Sequence, residues 1–521
     1  MSSHDRRLTQ IHHVRRQKLI GQAAVVGCAA GIAAVLFELA VAKSVEFSHG
    51  ITHRLGTSAW FIVPVASALL GGLAAWITQR VAPEAAGSGI PHTKLALMNL
   101  RKIEPQRLVP VKVGAGLMAL AAGFSLGREG PTVQIGAAIG HKAAEILKAP
   151  RRSYAPLIAA GAGAGIAAAF NAPIAGFLFV MEELKREMSP LTYGTALVAS
   201  VCAVAAKRLL LGQEPAFKLV QANYVPIPAL LVVVVLGVMG GLLGVAFNKG
   251  ILGALEFRDR IKIPRFAYGA AVGLLAGFCL VGIPAATGGG HDTAERLLKG
   301  LFDSPHLLSF LAAVLVAKFL LTILSFSSGV PGGIFAPLLV LGALLGYATG
   351  TVADAWFPSL GVVPSVFAAI GMAAVLSAAV RAPLTGVVLI FEMTTEYRLL
   401  YALLVAAFVA YLVAESLRNH PIYEALVERE LRVNNQSLPN SEPPKVVDLL
   451  IEPDSAMDGR RIRELDLPKG CLVVNISRGK QFVVPHGGTR VNEGDIVTIV
   501  SEVTNQDEWG HVFEMARTPH H

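Results

Sequence analysis

Long apolar runs recur along the chain from about Leu19 to Leu417, and many of them are broken by Gly or Pro. Runs of this length predict membrane-crossing helices. The interruptions predict short, tilted or broken helices rather than uniform spans. Residues 19–42 read as a first span and residues 59–77 as a second, and helical segments then follow in close order to about Ala414. The polar, basic start, residues 1–18, reads as an amphipathic cytoplasmic helix. Residues 429–445 are polar and Pro-rich and read as a linker. Beyond it the pattern changes period: CLVVNI from Cys471, QFVVP from Gln481 and DIVTIV from Asp495 read as strands, with turns at Gly487-Gly488 and Glu493-Gly494. The expected architecture is an all-α polytopic membrane protein followed by a small soluble α+β domain over residues 446–521.

The membrane part repeats itself. Residues 161–182 (GAGAGIAAAFNAPIAGFLFVME) align without gaps to residues 371–392 (GMAAVLSAAVRAPLTGVVLIFE), with eight identities. Residues 127–140 (GREGPTVQIGAAIG) align to residues 333–346 (GIFAPLLVLGALLG), sharing Pro and Gly at matching places. The offsets, 210 and 206 residues, agree with one duplication into halves of about 19–225 and 226–428. Paired halves with interrupted segments at equivalent places point to a transport site between them. Span parity cannot be read from hydropathy, so parallel and inverted halves both stay open on these grounds.

Composition agrees: 53% of the 521 residues are hydrophobic, 16% are charged and 52 are Gly, with mean hydropathy +0.56. The formal net charge of +9 raises nucleic-acid binding as a reading. Much of that charge flanks apolar segments, however, and Arg6, Arg7, Arg15, Arg16 and Lys18 precede the first span, so nucleic acid is set aside and a cytoplasmic N-terminus is expected. The start lacks a short apolar core with a small-residue cleavage site, so no cleavable leader is expected. The four cysteines are scattered and suggest neither disulfides nor a metal site.

The chemistry concentrates in three interrupted segments: Gly87-Ser88-Gly89-Ile90-Pro91, Gly127-Arg128-Glu129-Gly130-Pro131 and Gly332-Gly333-Ile334-Phe335-Ala336-Pro337. Each can begin a helix inside the protein, with free N–H groups and the positive dipole end aimed at one point. Such donors replace the hydration of an anion without the grip of a full cation, so the anion can leave again. A carboxylate such as Glu129 at membrane depth is costly and is normally retained for function. Together these features point to proton-linked anion movement.

These motifs, in this order and spacing, resemble the CLC family of chloride channels and chloride/proton antiporters. The resemblance takes in Phe170-Asn171-Ala172-Pro173, Met181-Glu182-Glu183, Ser328-Gly329-Val330-Pro331, Arg381-Ala382-Pro383-Leu384-Thr385-Gly386 and Pro421-Ile422-Tyr423, and covers about residues 20–428 of a membrane domain placed at 19–428. It implies a homodimer of subunits that each hold inverted halves and an independent pore. It also implies chloride bound by the hydroxyls of Ser88 and Tyr423 and the backbone amides of Ile334 and Phe335. Glu129 would be the external gating glutamate and Glu183, with Glu182 beside it, the internal proton-transfer group. Gly87, Gly89, Arg128, Gly130 and Gly333 would shape the anion-site loops. Ser88 rather than Pro resembles chloride-type rather than nitrate-type members, and the 127–131 loop with Tyr423 departs from the fluoride-selective branch. The tail resembles a TrkA-C domain, which implies a regulatory role and a nucleotide as a plausible ligand.

Each residue also has a plainer reading. Glu129 could pair with Arg128, Glu182 and Glu183 could sit on a solvated rim, Ser88 could only cap a helix, and Tyr423 could belong to an interfacial belt. Lys112, alone in an apolar run, could raise the local potential or snorkel. Gly161, Gly163 and Gly165 read as close helix packing rather than a nucleotide loop. His291-Asp292 reads as a surface turn before a metal site. The sequence shows no nucleophile–base set and no Walker motif, so an enzyme is not expected, and neither cofactor nor metal is. Chloride/proton antiport at a bacterial inner membrane, with both termini cytoplasmic, is the expectation. A passive channel on the same fold and a membrane-anchored ligand sensor are the alternatives.

Overall fold

The computed structural model describes residues 3–186, 189–217, 219, 224–302, 306–434, 445–468, 470–479, 481–501 and 506–517. It divides into two compact units, residues 1–427 and 428–521. Most of the expected linker, residues 435–444, lies outside the described residues.

The first half of the membrane unit runs α1 (Ser3–Leu55), α2 (Ala59–Val81), α3 (Ile90–Leu97), α4 (Pro105–Ala121), α5 (Glu129–Ile146), α6 (Tyr154–Phe170), α7 (Pro173–Phe179) and α8 (Pro190–Leu211). The second half runs α9 (Leu230–Arg260), α10 (Arg265–Gly282), α11 (His291–Leu298), α12 (Leu307–Ser327), α13 (Phe335–Trp356), α14 (Pro364–Val380), α15 (Pro383–Thr394) and α16 (Leu400–Ser416), and α17 (Ile422–Val433) starts in this unit and runs past its last residue. Among the described residues, eight segments are long and apolar enough to cross a membrane. Lengths vary widely, from 53 residues in α1 to 7 in α7, as the interruptions predict. Residues 1–18 do not form a separate element, because from Ser3 the basic start continues without a break into the first span as α1.

The duplication is visible in hydrogen bonds. Gly127 and Gly333 exchange both backbone bonds, Gly127 N–H to Gly333 O at 2.6 Å and Gly333 N–H to Gly127 O at 2.7 Å, in an antiparallel bridge. This reciprocal pair brings the starts of α5 and α13 face to face, so the equivalent segments of the two halves meet antiparallel, as inverted halves require. Two equivalent helix crossings flank it. A Cβ on Gly161 of α6 would lie 2.1 Å from Gly136 O of α5, and one on Gly371 of α14 would lie 2.2 Å from Gly342 O of α13. Gly165 likewise meets Thr132 O, and Gly163 meets Val180. The glycine run of α6 is therefore a packing surface, since backbones in lipid associate closely only where side chains are absent.

The second unit holds a four-stranded sheet of β1 (Lys445–Leu450), β2 (Cys471–Arg478), β3 (Gln481–Val483) and β4 (Ile496–Ser501), ordered β1-β4-β2-β3 and antiparallel throughout, with a final helix α18 (Gln506–Ala516). Strand β1 adds an edge at the start of the expected domain, where the sequence reading named no strand. Leu449, Ile476, Val497, Ile499 and Val512 form a core of its own. Asp495 precedes β4 rather than joining it. Its carboxylate accepts from Arg478 Nε at 2.8 Å and Nη2 at 2.7 Å and from the Asn492 N–H at 2.9 Å.

Candidate functional site

Three helix starts converge, as the interrupted segments predict. A Cβ on Gly130 would lie 2.9 Å from Cβ and O of Ser88, and one on Gly333 would lie 2.9 Å from the Gly130 nitrogen. The segments carrying Ser88, Glu129 and Phe335 are thus packed backbone to backbone. Gly87 N–H donates to Val330 O at 3.1 Å and Gly332 N–H to Gly87 O at 2.9 Å, which ties the Ser88 loop to the segment before α13. Gly89 has φ +78° and Gly87 φ +61°, left-handed values that favour glycine. Gln134 packs so close that a Cβ on Gly89 would meet its Oε1 at 2.1 Å.

Ser88 is buried, and its Oγ accepts from the Ile90 N–H at 3.3 Å. Its own O–H can then donate to an anion, so capping and anion binding coexist. Lys112 is fully buried and does not snorkel. Its Nζ donates to Ala85 O at 3.0 Å and Gly87 O at 2.8 Å, holding the loop ahead of Ser88. Lys318 does the same in the other half, donating to Ala286 O at 3.4 Å and Gly288 O at 3.1 Å.

Glu129 begins α5 and is buried. Its carboxylate folds back over Gly127, where a Cβ would lie 2.1 Å from Oε2, and faces the backbone N–H groups of Glu129 and Ala336. An acidic group therefore lies where two helix dipoles point, a seat suited to an anion. Oε2 has no hydrogen-bond partner. Arg128 does not pair with it. The guanidinium instead donates to Glu38 of α1 at 2.9 Å, and Glu38 also accepts from Lys207 of α8 at 2.7 Å. Glu129, Arg128 and Glu38 line a cleft of about 900 Å³ that also runs past residues 288–291.

Phe335 starts α13, with Ile334 as its N-cap, and both are buried. The Phe335 ring packs on Phe170 and Phe179, with centroids 5.5 Å and 6.1 Å away. Tyr423, in the first turn of α17, is fully buried, and its hydroxyl has no partner, which does not suit a belt tyrosine at an interface. The charged groups that act on this hydroxyl are Glu183 and Glu129. Tyr423 is thus within electrostatic reach of both glutamates named from the sequence.

Glu183 and Glu182 separate. A π-helical turn, Val180–Lys185, follows α7, and such turns reorient neighbouring side chains. Glu183 is fully buried and accepts from Lys94 Nζ at 2.6 Å, leaving Oε2 without a partner. Glu182, expected beside it, turns to another helix start. Its carboxylate accepts from Leu384 N–H at 3.1 Å and Thr385 N–H at 2.7 Å, capping α15. Glu392, its repeat equivalent, caps α7 through Ile174 N–H at 3.1 Å and Ala175 N–H at 2.8 Å. Carboxylates at helix N-termini satisfy free donors and complement the dipole, so this reciprocal pair joins the halves. His291 is also placed differently from a surface turn. It opens α11 with its ring 5.1 Å from Phe217 and its Nε2 3.5 Å from Arg128. Lys94, Glu38, Lys207 and Glu392 were missed in the sequence. For Lys94 the available signal was a lone cation in a buried apolar helix.

Residues 66–415 match the family model described as voltage gated chloride channel, and residues 446–508 match that of the TrkA-C domain. The chain is 38% identical over 436 residues to a Vibrio parahaemolyticus protein named H(+)/Cl(-) exchange transporter ClcA, covering 81% of this chain and 92% of that one. A protein of the same name from Vibrio campbellii is 37% identical over 436 residues, with the same coverage. Among solved structures, a slow cyanobacterial Cl-/H+ antiporter superposes with TM-score 0.75 at 34% identity, over 80% of this chain and 99% of the other.

Proposed function

Because the chain belongs to the voltage gated chloride channel family, we propose that it exchanges chloride for protons across a membrane. One observation carries this reading: Glu129, an ionisable carboxylate, lies buried where the starts of α5 and α13 meet, with one oxygen free. Chloride, held by the Ser88 and Tyr423 hydroxyls and the Ile334 and Phe335 amides, competes with that carboxylate for one dehydrated place. A proton passed on from Glu183 neutralises Glu129, and the uncharged side chain yields its seat and swings into the cleft lined by Arg128 and Glu38. There it releases the proton to the opposite side, and the carboxylate returns. Gly87, Gly89, Gly130 and Gly333 act by letting the backbones approach. The competition for one seat couples the two fluxes, and no cofactor takes part.

The working assembly in this reading is a homodimer in a bacterial inner membrane with both termini in the cytoplasm. The TrkA-C tail is its regulatory part, with a nucleotide as the ligand to test first. In proteoliposomes of purified protein, an imposed chloride gradient drives protons uphill. Chloride current without any proton signal would instead make it a passive channel. Absence of both fluxes, with nucleotide bound by the tail, would make it a sensor.

A further inference from the structure

Lys94 and Glu183 form an ion pair with both partners buried, their side chains 4% and 0% exposed. Removing two charges from water is costly, and such pairs are weak evidence for stability, so their presence calls for another explanation. The remaining charges that act on Glu183 are Arg186 and Glu424, and these are paired with each other. Lys94 is thus the counter-charge of Glu183. It holds Oε1 at 2.6 Å and leaves Oε2 as the carboxylate oxygen without a partner. Lys94 also stands on α3, the eight-residue helix whose start follows Ser88. Four residues of helical rise, about 6 Å, separate Lys94 from Ile90 at that start.

We infer that Lys94 is the positioning residue of proton transfer: by holding Glu183 Oε1 it makes Oε2 the oxygen that loads and releases the proton. The inference rests on the exchange reading above. An incoming proton bonds to Oε2 and neutralises the carboxylate, while the Nζ–H to Oε1 bond persists. When the proton leaves toward Glu129, the ion pair is restored, so charge and protons balance over one cycle. Without the ammonium, a carboxylate buried this deeply is stable only in its protonated form. It would then load a proton and fail to pass it on.

The test compares wild type with Lys94→Met, Lys94→Gln and Lys94→Arg in proteoliposomes, reading chloride exchange and proton flux separately. Lys94→Met lowers proton flux at least about tenfold while chloride exchange is little changed. Lys94→Gln, which keeps a donor without the charge and decides the matter if the Met variant does not fold, does the same. Lys94→Arg retains most of the proton flux. A wild-type proton-to-chloride ratio in the Met or Gln variant overturns the inference, as does an equal fall of both fluxes, the mark of a merely structural role. Absence of coupled proton movement in wild type would instead overturn the exchange reading itself.

Discussion

At the scale of single residues, the site is a set of buried polar atoms whose partners are missing or particular. Glu129 Oε2, Glu183 Oε2 and the Tyr423 hydroxyl all lack hydrogen-bond partners among the described residues, although leaving such groups unpaired is costly. The cost is intelligible if protons and an anion visit them. Glu129→Gln removes the charge that competes with chloride, so proton coupling is lost while chloride still moves. Glu183→Gln stops proton transport and spares chloride exchange. Paired flux measurements in proteoliposomes check both, and normal proton pumping in either variant contradicts the assignment. Gly130→Ala would press a Cβ to 2.9 Å from the Ser88 backbone oxygen. Overpacking of about 1–3 kcal/mol at this contact corresponds to roughly fivefold or more in chloride affinity, measurable by titration calorimetry.

At the scale of elements, the membrane unit works because backbones meet where side chains are absent and helix ends are capped by the other half. A side chain on Gly161 cannot be accommodated by relaxing a flexible neighbour, since the obstacle is the α5 backbone. Gly161→Leu therefore lowers the stability of the detergent-solubilised protein by about 3 kcal/mol or more, read as the thermal midpoint, and an unshifted midpoint would show that α5 and α6 do not cross there. Glu182 and Glu392 make the same pair of bonds at opposite helix starts. Glu182→Gln and Glu392→Gln should each cost about 1 kcal/mol, to similar extents, and neither should alter the proton-to-chloride ratio. A changed ratio in the Glu182 variant alone would assign it to the proton route.

At the scale of the whole molecule, the proposed transport site lies in the first unit and the tail folds around its own core. The tail carries its own pH response. Arg478, hydrogen-bonded to Asp495, holds that carboxyl below the ordinary aspartate range. A lowered folded value stabilises the tail above the ordinary aspartate range, about pH 4, and the contribution is lost as pH falls through the folded value. Hydrogen exchange of β4 amides in the full chain should therefore accelerate below about pH 4, and Asp495→Asn should remove that acid dependence while loosening β4 at neutral pH. The broken spans, the duplication and the three helix starts were legible in the sequence, where Glu129 and Ser88 stood out as candidates and Phe335 and Tyr423 entered through the family resemblance. Apolar run length, Gly/Pro placement and repeated motifs are local signals, and lipid enforces them strongly because backbone groups there must be satisfied internally. Other features depended on partners about 90 to 220 residues away: Glu38 taking Arg128 from Glu129, Lys94 meeting Glu183, and Glu182 capping α15 while Glu392 caps α7. The sequence by itself determined which groups are costly enough at membrane depth to need a purpose. Only the tertiary structure decided which of them are paired and which are left free, because hydrogen bonds and ion pairs act over a few ångströms and the fold alone brings distant segments that close.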